Sequence, residues 1–168
     1  MTPTTSPLPY TDTKPVGAAD FYFAINATFR FVLAGSGMDG LRRYWADMGA
    51  RYYQPVTERW QQGGLPGVAE YWRAFFKAEP GAEVEVSETG DAVTLEVKVC
   101  PAIKHLREHR REIVPCFCQH CHFVSEAIAA PAGLTVRVSG GSGSCVQRFA
   151  KREASTAPQN LNDIKKAL

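Results

Sequence analysis

The sequence has no apolar run approaching the ~20 residues needed to cross a bilayer, so a membrane-spanning helix is excluded. It has no block of uninterrupted positive charge. Its 19 Lys and Arg are balanced by 17 Asp and Glu for a formal charge of +2, which argues against a nucleic-acid partner, since such proteins gather basic charge on one face. The densest basic stretch, Lys104 to Arg111, contains Glu108 and reads as a solvated helix face. The opening residues carry neither the basic start nor the apolar segment of a secretory signal, so a cytoplasmic location is expected. There is no internal repeat, and the glycine–serine run before Cys145 has no phosphate-binding lysine. Cysteine is present, but as 5 residues, an odd number with three crowded between positions 116 and 121. That spacing does not describe a disulfide framework and turns attention to metal binding, thiol chemistry or burial.

What is present is globular: 45% hydrophobic and 21% charged residues. Residues 1–17, rich in Thr, Ser and Pro, are expected to be a flexible lead. Residues 18–152 form a single domain and 153–168 a tail, with a short helix possible from Asn160 to Leu168. Ala19 to Ala34 predicts a core helix, with Phe21, Ile25, Thr28, Phe29 and Val32 on one stripe and Gly35-Ser36-Gly37 as its break. A second helix from Met38-Asp39 carries Leu41, Tyr44, Trp45, Met48, Tyr52 and Trp60, with Pro55 as a kink or interruption. A third follows Gly63-Gly64-Leu65-Pro66 and ends before Pro80. Its aromatic side chains suit an ordinary core, or a ligand pocket.

The apolar period then changes to two. Val84 and Val86 precede Thr89-Gly90-Asp91, and Val93, Leu95, Val97 and Val99 follow it, which predicts a hairpin with one buried face. Leu134, Val136 and Val138 with Cys145 to Phe149 predict a second hairpin across the Ser139–Ser144 loop, with Val136 opposite Val146. Pro101 to Ala130 is a helical insert between the two. The fold class is therefore α+β, with N-terminal helices packed on an antiparallel sheet of two hairpins.

Cys100 ends a strand, and Pro101 suits the first position of a helix. A thiol there would feel the helix dipole and act as nucleophile or ligand, or it could simply be buried. If Pro115 opens the next helix, Phe117, Cys121, Val124 and Ile128 face the core. Cys118, His122 and Ser125 then form the adjoining face, with Cys118 and His122 one turn apart, able to share a metal or a proton. On this wheel His120 and Cys116 point elsewhere, as surface or packing residues. Cys118-x-x-Cys121 is half of a zinc site, which Cys100 and Cys145 would have to complete from strand ends. His105 and His109 read as two exposed histidines.

From Val97 to Phe149 the chain resembles the L-2-amino-thiazoline-4-carboxylic acid hydrolase-like family. The likeness lies in Val99-Cys100, in Cys118, and in Gly141 or Gly143 before Cys145, Arg148 and Phe149. Cys121 stands where that family carries an acid. The closing strand is also similar to four-vinyl-reductase-type domains, small-molecule binders in which cysteines can hold zinc. The resemblance implies a hydrolase of a C–N or C–S bond in a heterocycle or amide. Cys100 or Cys118 would be the nucleophile or a metal ligand, His122 the base and Arg148 the partner of a substrate carboxylate. The alternative is a non-catalytic metal- or ligand-binding domain holding zinc in a four-ligand site of Cys100, Cys118, Cys121 or His122, and Cys145. Either reading expects a small-molecule substrate or ligand, no nucleic acid, no membrane, and a possible homo-oligomer.

Overall fold

The structure is a computed structural model and describes residues 18–154 and 157–167; the expected flexible lead lies outside the described residues. The aromatic N-terminal half is helical. Helix α1 (Phe21–Asp47) buries Asn26, Phe29, Leu41 and Trp45. The expected break at Gly35–Gly37 is a kink within it, where Gly37 takes φ +64°, a value that costs glycine little. A π-helical turn (Met48–Tyr52) follows. Helix α2 (Gln54–Ala78) then begins with Pro55 in its first turn, where a missing N–H removes no bond, so the proline starts the helix instead of interrupting it. A second kink at Gly64 replaces the expected gap between helices. Among the described residues no helix is long and apolar enough to cross a membrane.

Among the described residues five strands make one sheet: β1 (Glu83–Glu88), β2 (Ala92–Val99), β3 (Leu134–Gly141), β4 (Ser144–Lys151) and β5 (Ile164–Lys165), in the order β1-β2-β4-β3-β5. The α+β class holds, and the two hairpins join directly because β2 pairs antiparallel with β4. Val93, Leu95, Val136, Val138 and Phe149 are buried on one face, where Trp60 and Trp72 from α2 lie 5.5 and 6.1 Å from the Phe149 ring. Alternation sends Glu96, Lys98 and Arg148 to the other face.

The second hairpin is tighter than expected. Its turn is only Ser142-Gly143, with φ of +56° and +111°, the positive values that two-residue hairpin turns require. Gly140 and Gly141 therefore join the ladder, Val136 faces Phe149 instead of Val146, and Cys145 faces Gly140.

The insert is two helices, α3 (Pro101–Glu108) and α4 (Gln119–Ala129). Pro115 does not open α4; residues 115–118 form turns and Cys118 is the N-cap. The segment before this turn is tied to α1. Asn26 Nδ2 donates to Glu112 O at 2.9 Å, and Val114 N–H donates to Asn26 Oδ1 at 3.1 Å. With Asn26 buried, Asn26→Ala should leave the Val114 N–H without its acceptor, while Glu112 O keeps the bond from Arg30 Nη2 at 2.6 Å, and cost about 1–3 kcal/mol. A fall in the urea midpoint at unchanged m-value checks this.

The expected tail is part of the domain. Ile164 pairs β5 in parallel with Gly140 of β3, Ile164 and Ala167 are buried, and Ala167 N–H donates to Pro115 O at 2.9 Å. Beyond β5 the β3 edge is covered by side chains. Gln159 brackets Val138, accepting from its N–H at 2.8 Å and donating to its carbonyl at 3.0 Å. Glu126 accepts from Val136 N–H at 2.9 Å. Pairing of this kind hides an edge that would otherwise template aggregation.

Candidate functional site

Four of the cysteines meet. β2 ends at Val99, so Cys100 caps α3 with an extended backbone. Cys118 caps α4 and Cys121 lies in its first turn. Cys145 is the second residue of β4, its backbone flanked by Val97 on one side and Gly140 on the other. All four line a single cavity of about 20 Å³, together with His120, Phe117 and the glycines of the β3–β4 hairpin. That volume holds one water-sized particle.

The β3–β4 turn closes over this space and is fixed by the cysteine-bearing residues themselves. Cys100 N–H donates to Gly143 O at 2.8 Å, and Ser142 N–H donates to Cys118 Sγ at 3.3 Å. Arg107 Nη2 donates to Ser142 Oγ at 2.8 Å. Gly140 is required where it stands: its φ is +90°, and a Cβ would come 2.8 Å from Ser144 O and 3.4 Å from Cys145 Cβ.

Burial sets the protonation of the group. It pushes Cys100 up to about 11, reinforced by a neighbouring Cys121 thiolate. The N–H groups of Ala102 and Ile103 and the Arg107 charge pull the other way but do not prevail. Burial pushes Cys118 up to about 12, with Cys121 and Cys100 adding to it against the Ser142 N–H and Arg107. Cys121 also reaches about 12 through burial. Cys145 is raised by burial and by all three of the others, Gln147 opposing. Each thiolate would thus disfavour the next, and the four are neutral thiols near pH 7.

His120 is the residue that sequence reasoning placed elsewhere. Its Nδ1 lies 2.5 Å from Phe117 O, which makes Nδ1 the donor and leaves the Nε2 lone pair 3.8 Å from Cys121 Sγ. Burial lowers its pKa, so the ring is neutral. The thiol therefore donates to the imidazole, and no thiolate–imidazolium pair is present. With α4 opening at Gln119, His122 is buried toward β3, not at the cavity. Burial lowers its pKa, with Glu126, Arg137 and the Val136 carbonyl as neighbours.

Arg148, assigned to a substrate carboxylate, is on the opposite face of the sheet from Phe149 and forms an exposed ion pair with Asp91 at 3.7 Å. It cannot reach the cavity. Cys116 does not line it either. His105 is half-buried, stacked on Phe23 at 4.8 Å with Nε2 3.1 Å from Asp20, while His109 is exposed as expected. Among the described residues no three Cys, His, Asp or Glu side chains stand at ligand spacing around one point, so the four sulfurs line the space without closing on it.

No family model matches the chain, and no curated protein or solved structure is significantly similar to it.

Proposed function

We propose that this domain binds one thiophilic metal ion, zinc being the ion suited to the donor set, through Cys100, Cys118, Cys121 and Cys145. One observation carries the reading: thiols from three separate parts of the chain converge on a cavity of single-ion size. Four partly buried thiols that oppose one another's ionisation are a donor set whose thiolate forms a cation would stabilise. Closing them to ligand distance requires the side chains to turn inward, because they do not stand at that spacing without an ion. When bound, the ion would cross-link β2, the start of α4 and β4. Four thiolates would leave no position for water or substrate, which sets binding ahead of hydrolysis.

The hydrolase reading retains one specific support, the Cys121–His120 contact at 3.8 Å. It ranks second for two reasons of magnitude and placement. A cavity of about 20 Å³ excludes a heterocycle, and Arg148 lies on the far face of the sheet. Burial also disfavours the thiolate that a nucleophile needs.

The test is elemental analysis of untagged protein purified without added metal or chelator, beside Cys118→Ala. Near-stoichiometric zinc that falls at least severalfold in the variant is expected. Absence of metal from the parent, together with rapid alkylation of one cavity thiol, would overturn the proposal in favour of thiol chemistry.

A further inference from the structure

An ion that reaches the four thiols has to move a wall aside, because the space between them is water-sized and a hydrated ion is larger. Three sides are core. Ile103 of α3, Phe117 and Val138 of β3 are almost fully buried, and Phe117 packs on Phe29 of α1 with ring centroids 5.4 Å apart. The remaining side is the turn Ser142-Gly143, half-buried and beyond the last ladder pair, Gly141 with Ser144. Three bonds from other elements hold it. Cys100 N–H donates to Gly143 O, and Ser142 N–H donates to Cys118 Sγ. Arg107 supplies the third from the exposed side of α3, its Nη2 donating to Ser142 Oγ at 2.8 Å, although it lines no part of the cavity. Its Nη1 lies 3.1 Å from where a Cβ on Gly143 would stand, so the guanidinium lies along both turn residues.

Resting on the metal reading above, we propose that the Ser142-Gly143 turn is the lid through which the ion enters and leaves, and that Arg107 is a positioning residue that latches it shut. Cost selects the turn over the other walls. Lifting it breaks a few hydrogen bonds at the surface, which water replaces, whereas moving Phe117, Ile103 or Val138 opens the core. The latch is a charge-assisted bond, stronger than one between neutral groups. The Ser142 N–H ties the lid to the site itself. An amide donates more strongly to a metal-bound thiolate than to a thiol, so loading draws the turn down on Cys118. Arg107 thereby sets how fast the ion exchanges, while the cysteines set how tightly it is held.

The test uses the full-length protein with Arg107→Ala, Ser142→Ala and the double variant, none of which touches the core. Amide hydrogen exchange of the metal-free proteins reports lid opening without any ion. Exchange at Cys100 and Ser142, whose N–H groups are bonded across the lid, should quicken about five- to tenfold in either single variant. The amide of Leu95, in the middle of β2, should stay protected and confirms the fold. Because the two side chains share one bond, the double variant should be no faster than the singles. Zinc uptake, and zinc release to an excess of chelating dye, should both quicken by about the same factor. In the charge-neutral Ser142→Ala, Kd should therefore move less than about threefold. Unchanged amide exchange in the variants, additive effects in the double variant, or zinc rates that do not follow lid opening would each overturn the proposal. A parent protein that takes up no zinc would remove the metal reading and this inference with it, an outcome told apart from the others because the amides still report on the latch.

Discussion

Zinc added to metal-free protein is expected to raise the midpoint of thermal unfolding by roughly 8–16 °C. At a free concentration about 1,000 times Kd, an ion that binds only the folded state stabilises it by about 4 kcal/mol. A domain of this size gains about 2–4 °C for each kcal/mol. The rise should be accompanied by a steep dependence on pH whose sign follows from burial. The thiols are held protonated well above neutrality, Cys100 to about 11 and Cys118 and Cys121 to about 12. Each must lose its proton to become a ligand, so protons compete with zinc and affinity climbs as pH rises. Between neutrality and those values the slope of log K against pH counts the thiols deprotonated, approaching four. His120 adds nothing to it, because burial already holds the ring neutral. Cys145→Ser should reduce the slope to about three and lower the affinity by several powers of ten. Calorimetry in buffers of different ionisation enthalpy measures the protons released. A slope near zero, or a midpoint indifferent to zinc, would contradict a four-thiol site.

Why the cysteines were legible and the histidine was not is a matter of phase. Cys100 before Pro101, and Cys145 at the head of an alternating strand, fix where each lies in an element, and those placements hold. Along α4 the reading depends on where the helix begins. Starting it at Pro115 pairs Cys118 with His122. The observed start at Gln119 leaves Cys118 at the cap, sends His122 toward the sheet and brings His120 to the cavity. A residue advances about 100° around a helix wherever the helix starts, but residues 115–118 form turns, so the faces projected back from Val124 and Ile128 do not extend to Cys118. Arg148 is a different case. It follows Cys145 by an odd number of residues, and strand alternation alone sets the two on opposite faces. The hairpin register was hidden by glycine, which is compatible with either a loose loop or the ladder. It joins the ladder here because Ser142-Gly143 suffices for the turn. The two-residue strand β5 is too short to have a period, and only its docking against β3 and Pro115 defines it.

Glu126→Ala is expected to destabilise the fold by about 3 kcal/mol from a position on α4 outside the cavity. The carboxylate accepts from Val136 N–H at 2.9 Å and from Thr135 Oγ1 at 2.9 Å, and pairs with Arg152 at 2.6 Å. Its removal leaves a strand N–H and a buried hydroxyl without an acceptor, each worth about 1–3 kcal/mol when unsatisfied. The effect should reach the site as well, because Glu126 clamps to β3 the helix whose first turn carries Cys121. The role of charge can be separated from that of shape by pH. Burial alone would raise the Glu126 pKa, but the Val136 N–H, the Arg152 side chain and the Thr135 hydroxyl outweigh it and hold the carboxyl below its ordinary value of 4.5. A depressed folded pKa contributes stability that is full above the unfolded value and is lost as pH falls through the folded one. Glu126→Gln preserves an acceptor for Thr135 and Val136 but loses the charge. It should therefore be less stable than the parent at neutral pH, and the gap should close as pH falls below about 4. Urea unfolding of the parent and of both variants at neutral and acid pH decides the matter. A gap between parent and Glu126→Gln that is the same at both would mean that the charge contributes nothing and the clamp acts through its hydrogen bonds alone.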